Sequence, residues 1–323
     1  MYVPLAKATL KTGELLEVGV VVAPDEDYAN RIRSFLAHKP ANFRWHIDRA
    51  LAEPLDELET RFYLGELQGK IITNVMTVEH RGVGILGHVF TRPDHRLKGA
   101  CRAVMQEQMA DFLHRGGKVL TLGTGFETPP YWIYYRFGFR SIDGHSGFMK
   151  YCAEAGFEEA FFAAAPVQVV EVAWHHWPTL NLLCAQEEGD YVRSIAFGHF
   201  GRANFEGGFL RFKQSLEENP AHQARLLASE TGAIVGYATV QPDSRWRGQV
   251  ALLDLFLHPH FAREATRLLK ALSLPEGKIQ SYVEPAAEAV IAALEQAGFK
   301  REALLRRQVR REDQWLDVAV YAR

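Results

Sequence analysis

The sequence predicts a mixed α/β protein (an α+β arrangement with mixed sheets) built from two tandem units of one fold. Three observations predict it. Apolar residues alternate along the chain between period 2 and helical spacing, so strands and helices interleave. The order of elements in the first half then returns in the second. VALLDLFLHP matches GILGHVFTRP in type, with Pro259 answering Pro93, and AALEQAGF answers WIYYRFGF, with Gly298-Phe299 in the place of Gly138-Phe139. Self-similarity at a spacing of about 160 residues points to an internal duplication. Finally, 323 residues at 47% hydrophobic and 24% charged give enough apolar side chains for two ordinary cores.

The elements follow in order. Glu14 to Val22 reads as a strand ended by Pro24-Asp25, and Asp27 to His38 as a helix through Tyr28, Ile32, Phe35 and Leu36, stopped by Pro40. A short helix covers Trp45 to Leu51. RFYLGELQGKIITNVMTV is a hairpin turning at Gln68-Gly69. Gly84 to Thr91 is apolar on both faces, as a central covered strand should be. Leu97, Ala100, Cys101, Val104, Met105, Phe112 and Leu113 share one face of a helix ended by Gly116-Gly117. KVLTLG is a short strand, TPPYWIYYRFGF a helix opened by Pro129-Pro130 and closed by Gly138, and Arg140 to Tyr151 a strand pair. In the second half, Val167 to Ala173 is a strand, Pro178 to Glu187 and part of the stretch to Glu217 are helical, and a hairpin turns at Thr231-Gly232. The expected organisation is therefore 1–151, a packed Ala-rich connection over 152–166, and 167–323.

Charge and cysteine content narrow the function classes. Lys plus Arg total 37 against 39 Asp plus Glu, a net charge of −2. That balance argues against broad electrostatic capture of nucleic acid and leaves a local basic patch open. Cys101, Cys152 and Cys184 are odd in number and widely spaced, which suits neither a disulfide framework nor a zinc site. The adjacent His175 and His176 are a poor chelating pair, so no metal is expected. No apolar run approaches the ~18 residues of a membrane span. The opening MYVPLAKATLKTGELLE has no apolar core of signal-peptide length. The expectation is a cytoplasmic protein without membrane partners, with self-association left open.

RLKGAC, Arg96 to Cys101, stands at a strand-to-helix junction. A helix start leaves backbone N–H groups unpaired and carries partial positive charge, and phosphate is its natural ligand. Gly99 permits close approach to the backbone, and Arg96 and Lys98 add full charges. A solvated turn has the same composition. The segment is neither a G-x-G-x-x-G fingerprint nor a P-loop.

Taken with its neighbours, the junction resembles the GNAT acetyltransferase superfamily. Arg96, Gly99 and Cys101 fill that family's [QR]-x-x-G-x-[GA] motif. Ile133, Tyr134, Gly138 and Phe139 fill its later [LF]-Y-x-x-x-G-F signature, and TRPDHR is similar to its V-x-P-x-x-R. The resemblance covers Glu14 to Tyr151 in element order and the second half more faintly; the tandem layout is similar to that of mycothiol synthase-type enzymes.

The resemblance implies acetyl-CoA as cosubstrate, with its pyrophosphate on Arg96, Leu97, Lys98, Gly99, Ala100 and Cys101 and its pantetheine arm beside Val89, Phe90 and Thr91. It also implies N-acetylation of a small-molecule or peptide amine by direct attack. Tyr134 holds the position of the general acid, although YWIYY must also pack. Glu127 is a candidate base or a helix cap, and His88 a candidate base or a core histidine. Cys101, where the family has Gly or Ala, is a small buried residue or a reactive thiol. A non-catalytic acyl-CoA-binding protein is the alternative.

The second copy lacks both motifs. HFAREATRLLKAL has no Arg-x-x-Gly, and Leu294 takes the tyrosine slot. It is expected to keep the fold without the cofactor site and to shape the acceptor cleft or cover a sheet edge.

Overall fold

The computed structural model describes residues 1–323 as two compact units. The first comprises Met1–Phe157 with Ala173–Thr179, and the second Glu158–Val172 with Leu180–Arg323.

In the first unit, β1 (Tyr2–Thr9) and β2 (Leu15–Val22) lead into α1 (Glu26–Leu36) and α2 (Ala41–Ala52). Asp25 caps α1 by accepting from the Tyr28 amide at 2.9 Å. There follow β3 (Glu59–Leu67), β4 (Lys70–His80), β5 (Val83–Thr91), α3 (Ala100–His114), β6 (Val119–Gly123), α4 (Pro129–Arg136), β7 (Arg140–Ser141) and β8 (Phe148–Cys152). The sheet order is β1-β2-β3-β4-β5-β6-β8-β7. Only β5 and β6 run parallel. Leu16, Tyr63, Val75, Leu86, Val104, Phe112, Leu120 and Phe139 are among the side chains of the core between the sheet and α3.

The second unit runs α5 (Phe157–Phe161), β9 (Val167–Val170), α6 (His176–Cys184), β10 (Val192–Ser194), β11 (His199–Phe200), α7 (Glu206–Glu218), β12 (Gln223–Ser229), β13 (Ile234–Pro242), β14 (Ala251–Leu257), α8 (Ala265–Lys270), β15 (Ile279–Val283), α9 (Glu288–Gln296), β16 (Lys300–Arg311) and β17 (Gln314–Ala322). Its sheet order, β9-β12-β13-β14-β15-β17-β16, repeats that of the first unit without a β1. Here too a single pair, β14 with β15, is parallel. The repeated pattern of the sequence is thus a repeated topology.

Four differences from the sequence reading have local causes. Strand β1 is absent from the sequence reading and has no buried residue; it is an edge held by main-chain pairing to β2. Helix α3 begins at Ala100, so Leu97 lies outside it and is 93% exposed, and Leu113 is exposed as well. The connection over 152–166 holds only the five-residue α5. The Trp174–Trp177 segment packs with the first unit, past the expected boundary. Trp174 stacks on Trp45 and His46, its amide donates to Asp56 at 2.7 Å, and Trp177 meets His46 edge-on. Two large aromatics buried there outweigh chain order. No helix is long and apolar enough to cross a membrane.

Candidate active site

Between β5 and α3 the chain makes one 3-10 turn, Pro93–His95, and then a tight loop. Arg96 is extended, Leu97 has φ +63° and Gly99 φ +99°. Positive-φ residues alternating with others in a tight turn are a recurring feature of anion-binding loops. For a branched, exposed leucine that conformation is strained, and strain of this kind clusters at ligand clamps.

Gly99 is the N-cap of α3 and supplies no capping side chain. The first bond closing the helix is Ala103 N–H to Gly99 O at 3.0 Å, so the amides of Ala100, Cys101 and Arg102 have no intrahelical acceptor. A Cβ built on Gly99 meets no atom within 4 Å. The space over the loop is open, and it is φ that demands glycine. From below, Lys11 N–H props the loop by donating to Lys98 O at 3.0 Å. Arg96 Nε donates to Thr91 O at 3.1 Å, and neither Arg96 nor Lys98 forms an ion pair. Partial burial raises the Cys101 thiol to about 11, so Cys101 is a half-buried thiol and not a thiolate at neutral pH.

The loop stands at the mouth of a splayed strand pair. Val83, Gly84 and Ile85 pair with Val119, Leu120 and Thr121, and there the parallel ladder stops. From Leu86 to Thr91 the edge of β5 toward β6 has no partner strand. Opposite, the β4 ladder slips between Met76↔Gly87 and Asn74↔Phe90, so His88 and Val89 face the single residue Val75. This is a β-bulge, with His88 at φ +50°. Asn74 Nδ2 holds it by donating to His88 O at 3.0 Å, and Thr73 and Thr91 share a hydroxyl hydrogen bond at 2.8 Å. Val89, Phe90 and Thr91 follow the bulge on the open stretch. Asn74 and the bulge escaped the sequence reading; the available signal was Gly87 inside an apolar strand.

His88 is 8% exposed, lies edge-on to Phe43 with ring centroids 4.8 Å apart, and its Nε2 has no hydrogen-bond partner. Burial, aided by Lys39, His46 and His38, holds its pKa well below the ordinary value, so it is neutral at pH 7. Phe35 and His38 pack on Phe90.

On α4, three tyrosines have three fates. Tyr131 hydrogen-bonds Ser141 Oγ at 3.0 Å, Tyr135 is exposed beneath the Arg140 guanidinium, and Tyr134 is buried in the same apolar cluster as Ala100, with Val89 packed against it. Tyr134 and Ala100, the first residue of α3, thus belong to one apolar cluster. Glu127 is an exposed turn residue at φ +55° before α4. It is not the helix cap, since Thr128 occupies that position.

The second unit differs at each of these places. No residue between Pro259 and Ala265 has positive φ, and the β13–β14 register is regular. Asp254, at the place of His88 in the matched peptides, accepts from Ser194 Oγ and from the amides of Ile195 and Ala196, both at 3.0 Å. Glu284, just past β15, accepts from the amides of Tyr191 and Val192. The chain's own segment 191–196 is thereby held against β14 and β15 beyond their last pair, Leu253↔Ser281.

Fold and geometry together define an α/β unit with an uncapped helix start beside a bulged strand pair that parts beyond its third residue. No family model matches this chain, and no curated protein matches it in sequence. Among solved structures it is similar to a phosphinothricin acetyltransferase of the GNAT superfamily from Sinorhizobium meliloti in complex with acetyl-CoA (15% identity, 49% of this chain and 87% of that one, TM-score 0.39). It is also similar to a putative acetyltransferase from Salmonella typhimurium with its cofactor acetyl-CoA (13%, 49% and 92%, 0.39) and to spermidine N-acetyltransferase from Vibrio cholerae in complex with CoA and spermine (15%, 49% and 94%, 0.37).

Proposed function

We propose that the first unit is an acetyl-CoA-dependent N-acetyltransferase acting on an amine. The observation that carries the reading is the Arg96–Cys101 loop, whose two left-handed residues and uncapped helix start open onto the splay of β5 and β6. The residues fit the group. Amides of Leu97 to Cys101 and the Arg96 guanidinium would take the pyrophosphate, with no Cβ at Gly99 to obstruct it. The unpaired edge at Val89, Phe90 and Thr91 would take the amide-bearing arm as a strand takes a neighbour.

Bound acetyl-CoA supplies an acyl thioester. A β5 amide beyond the bulge donates to the carbonyl oxygen as charge develops there. The amine nitrogen forms the new bond to the acyl carbon, the carbon–sulfur bond breaks, and the Tyr134 hydroxyl gives the departing sulfur a proton. The amine must shed one proton. His88, neutral on the bulge but made a weak base by its burial, and Glu127, on its exposed turn and acting directly or through water, are the candidate acceptors of that proton. The second unit, without the loop and with 191–196 held across its strands, takes no acetyl-CoA.

The test is calorimetric titration of CoA together with thiol release from acetyl-CoA over a panel of amines. Binding with amine-dependent release supports the reading. Binding without release for any amine makes the protein a non-catalytic acyl-CoA binder, and no binding overturns both.

A further inference from the structure

Strand β16 stands apart from every other strand of the second unit. It spans 12 residues, and none of them is buried. Its counterpart in the first unit, β7, closes an equivalent sheet with two residues. The fold therefore does not require the extra length. Ordering a residue costs about 1–2 kcal/mol of backbone entropy, and a strand that buries no side chain recovers little of it by packing.

Its composition is equally unusual. Lys300, Arg301, Arg306, Arg307, Arg310 and Arg311 are cations, against the single acid Glu302. Glu302 is taken by Lys278 and Gln280, and Arg310 meets the exposed Asp313 at 3.5 Å. The Arg307 amide donates to Asp317 at 2.8 Å, and the five cations other than Arg310 form no ion pair. At one end of the strand, Lys278, Lys300, Arg301 and Arg323 line a shallow, open depression together with Glu302, the partner of Lys278. Toward the other end, Trp315 is 48% exposed, with the Arg307 guanidinium over its ring at 5.7 Å.

We infer that β16 and its flanking depression form a binding surface for single-stranded nucleic acid. The strand is interrupted at Arg307, φ +51°, and its pairing shifts between Leu305 and Val309, so its cations fall in two groups, Lys300 and Arg301 at one end and Arg306 to Arg311 at the other, each able to meet phosphates of one extended chain. Trp315 offers a face on which a base can stack. Charge on an edge strand also deters unwanted strand pairing, a role that does not call for the exposed aromatic ring of Trp315 beside it. An anionic membrane suits the surface less well. Neighbouring residues of a strand point to opposite faces, so the 300/301 and 310/311 pairs put a cation on each, and no apolar face is left to insert. The chain's net charge of −2 confines any such binding to this patch.

The experiment is fluorescence anisotropy of fluorescein-labelled 20-nucleotide oligo(dT) and oligo(U) with the full chain, over a salt series. Binding is expected at 50 mM salt, weakening steeply toward 200 mM. The double variant Arg306→Glu/Arg310→Glu should lower affinity at least tenfold and reduce the slope of log affinity against log salt by about 1.4, at ~0.7 per lost phosphate contact. Trp315→Ala should weaken binding at least fivefold, as loss of one stacked base implies. All three positions are exposed, and far-ultraviolet circular dichroism checks the fold. Absence of binding at 50 mM salt overturns the inference. So does preference for a duplex of equal length, binding of phosphatidylserine vesicles but not oligonucleotides, or affinity unchanged in both variants.

Discussion

Replacing Gly99 by alanine separates backbone strain from ligand contact, because the structure supplies its own control. Gly99 begins α3 at φ +99°, and Gly116 follows its end at φ +80°. A Cβ on either meets nothing within 4 Å, so neither alanine clashes with the protein. Both must hold an L-residue in the left-handed region, at a cost of about 1–2 kcal/mol each. Thermal unfolding should therefore show similar destabilisation in Gly99→Ala and Gly116→Ala. Calorimetric titration with CoA should distinguish them. The Gly99 methyl enters the open concavity over the amides of Ala100 and Cys101 and holds phosphate off, so affinity should fall at least tenfold, about 1.4 kcal/mol. Gly116→Ala should bind as the parent does. Equal CoA affinity in the two variants, with both folded, would refute the cradle.

Tyr134→Phe keeps the ring in its cluster and removes the proton donor; turnover should drop about 10²-fold with CoA affinity nearly unchanged, and an unaffected rate would make Tyr134 structural. CoA titration should saturate at one per chain, and a stoichiometry of two would show that segment 191–196 does not close the second unit. His46 is buried and its pKa is lowered from 6.5 to about 3 by burial. The unfolded chain binds a proton there that the folded chain refuses, so stability is lost as pH falls below 6.5, and the loss continues to about pH 3. His46→Gln should flatten urea-derived stability against pH by about 1.4 kcal/mol per unit between pH 6 and 4; an unchanged slope would show that His46 is already protonated in the fold.

The sequence by itself determined the features that short-range chemistry encodes. A hairpin pattern marked β3 and β4 with Gln68-Gly69 as their turn, short apolar runs marked β5 and β6, Pro129 and Gly138 bounded α4, and matched runs ending in Pro93 and Pro259 announced two units of one topology. RLKGAC announced the uncapped helix start because glycine and neighbouring cations are local signals. Tertiary structure decided the rest. The His88 bulge exists because β4 and β5 pair out of step, and which residue slips depends on a partner strand and on Asn74. Leu97 has the composition of a helix face, yet the loop excludes it from α3. Trp174 joins the first unit through aromatic partners more than a hundred residues away in sequence. Asp254 in an apolar strand gives no sign of the amides that donate to it, and that the Arg-rich β16 is a fully unburied strand is visible only in the fold. Turn and capping preferences act over a few residues, whereas register, burial and strand neighbours are set by chain segments that meet only on folding.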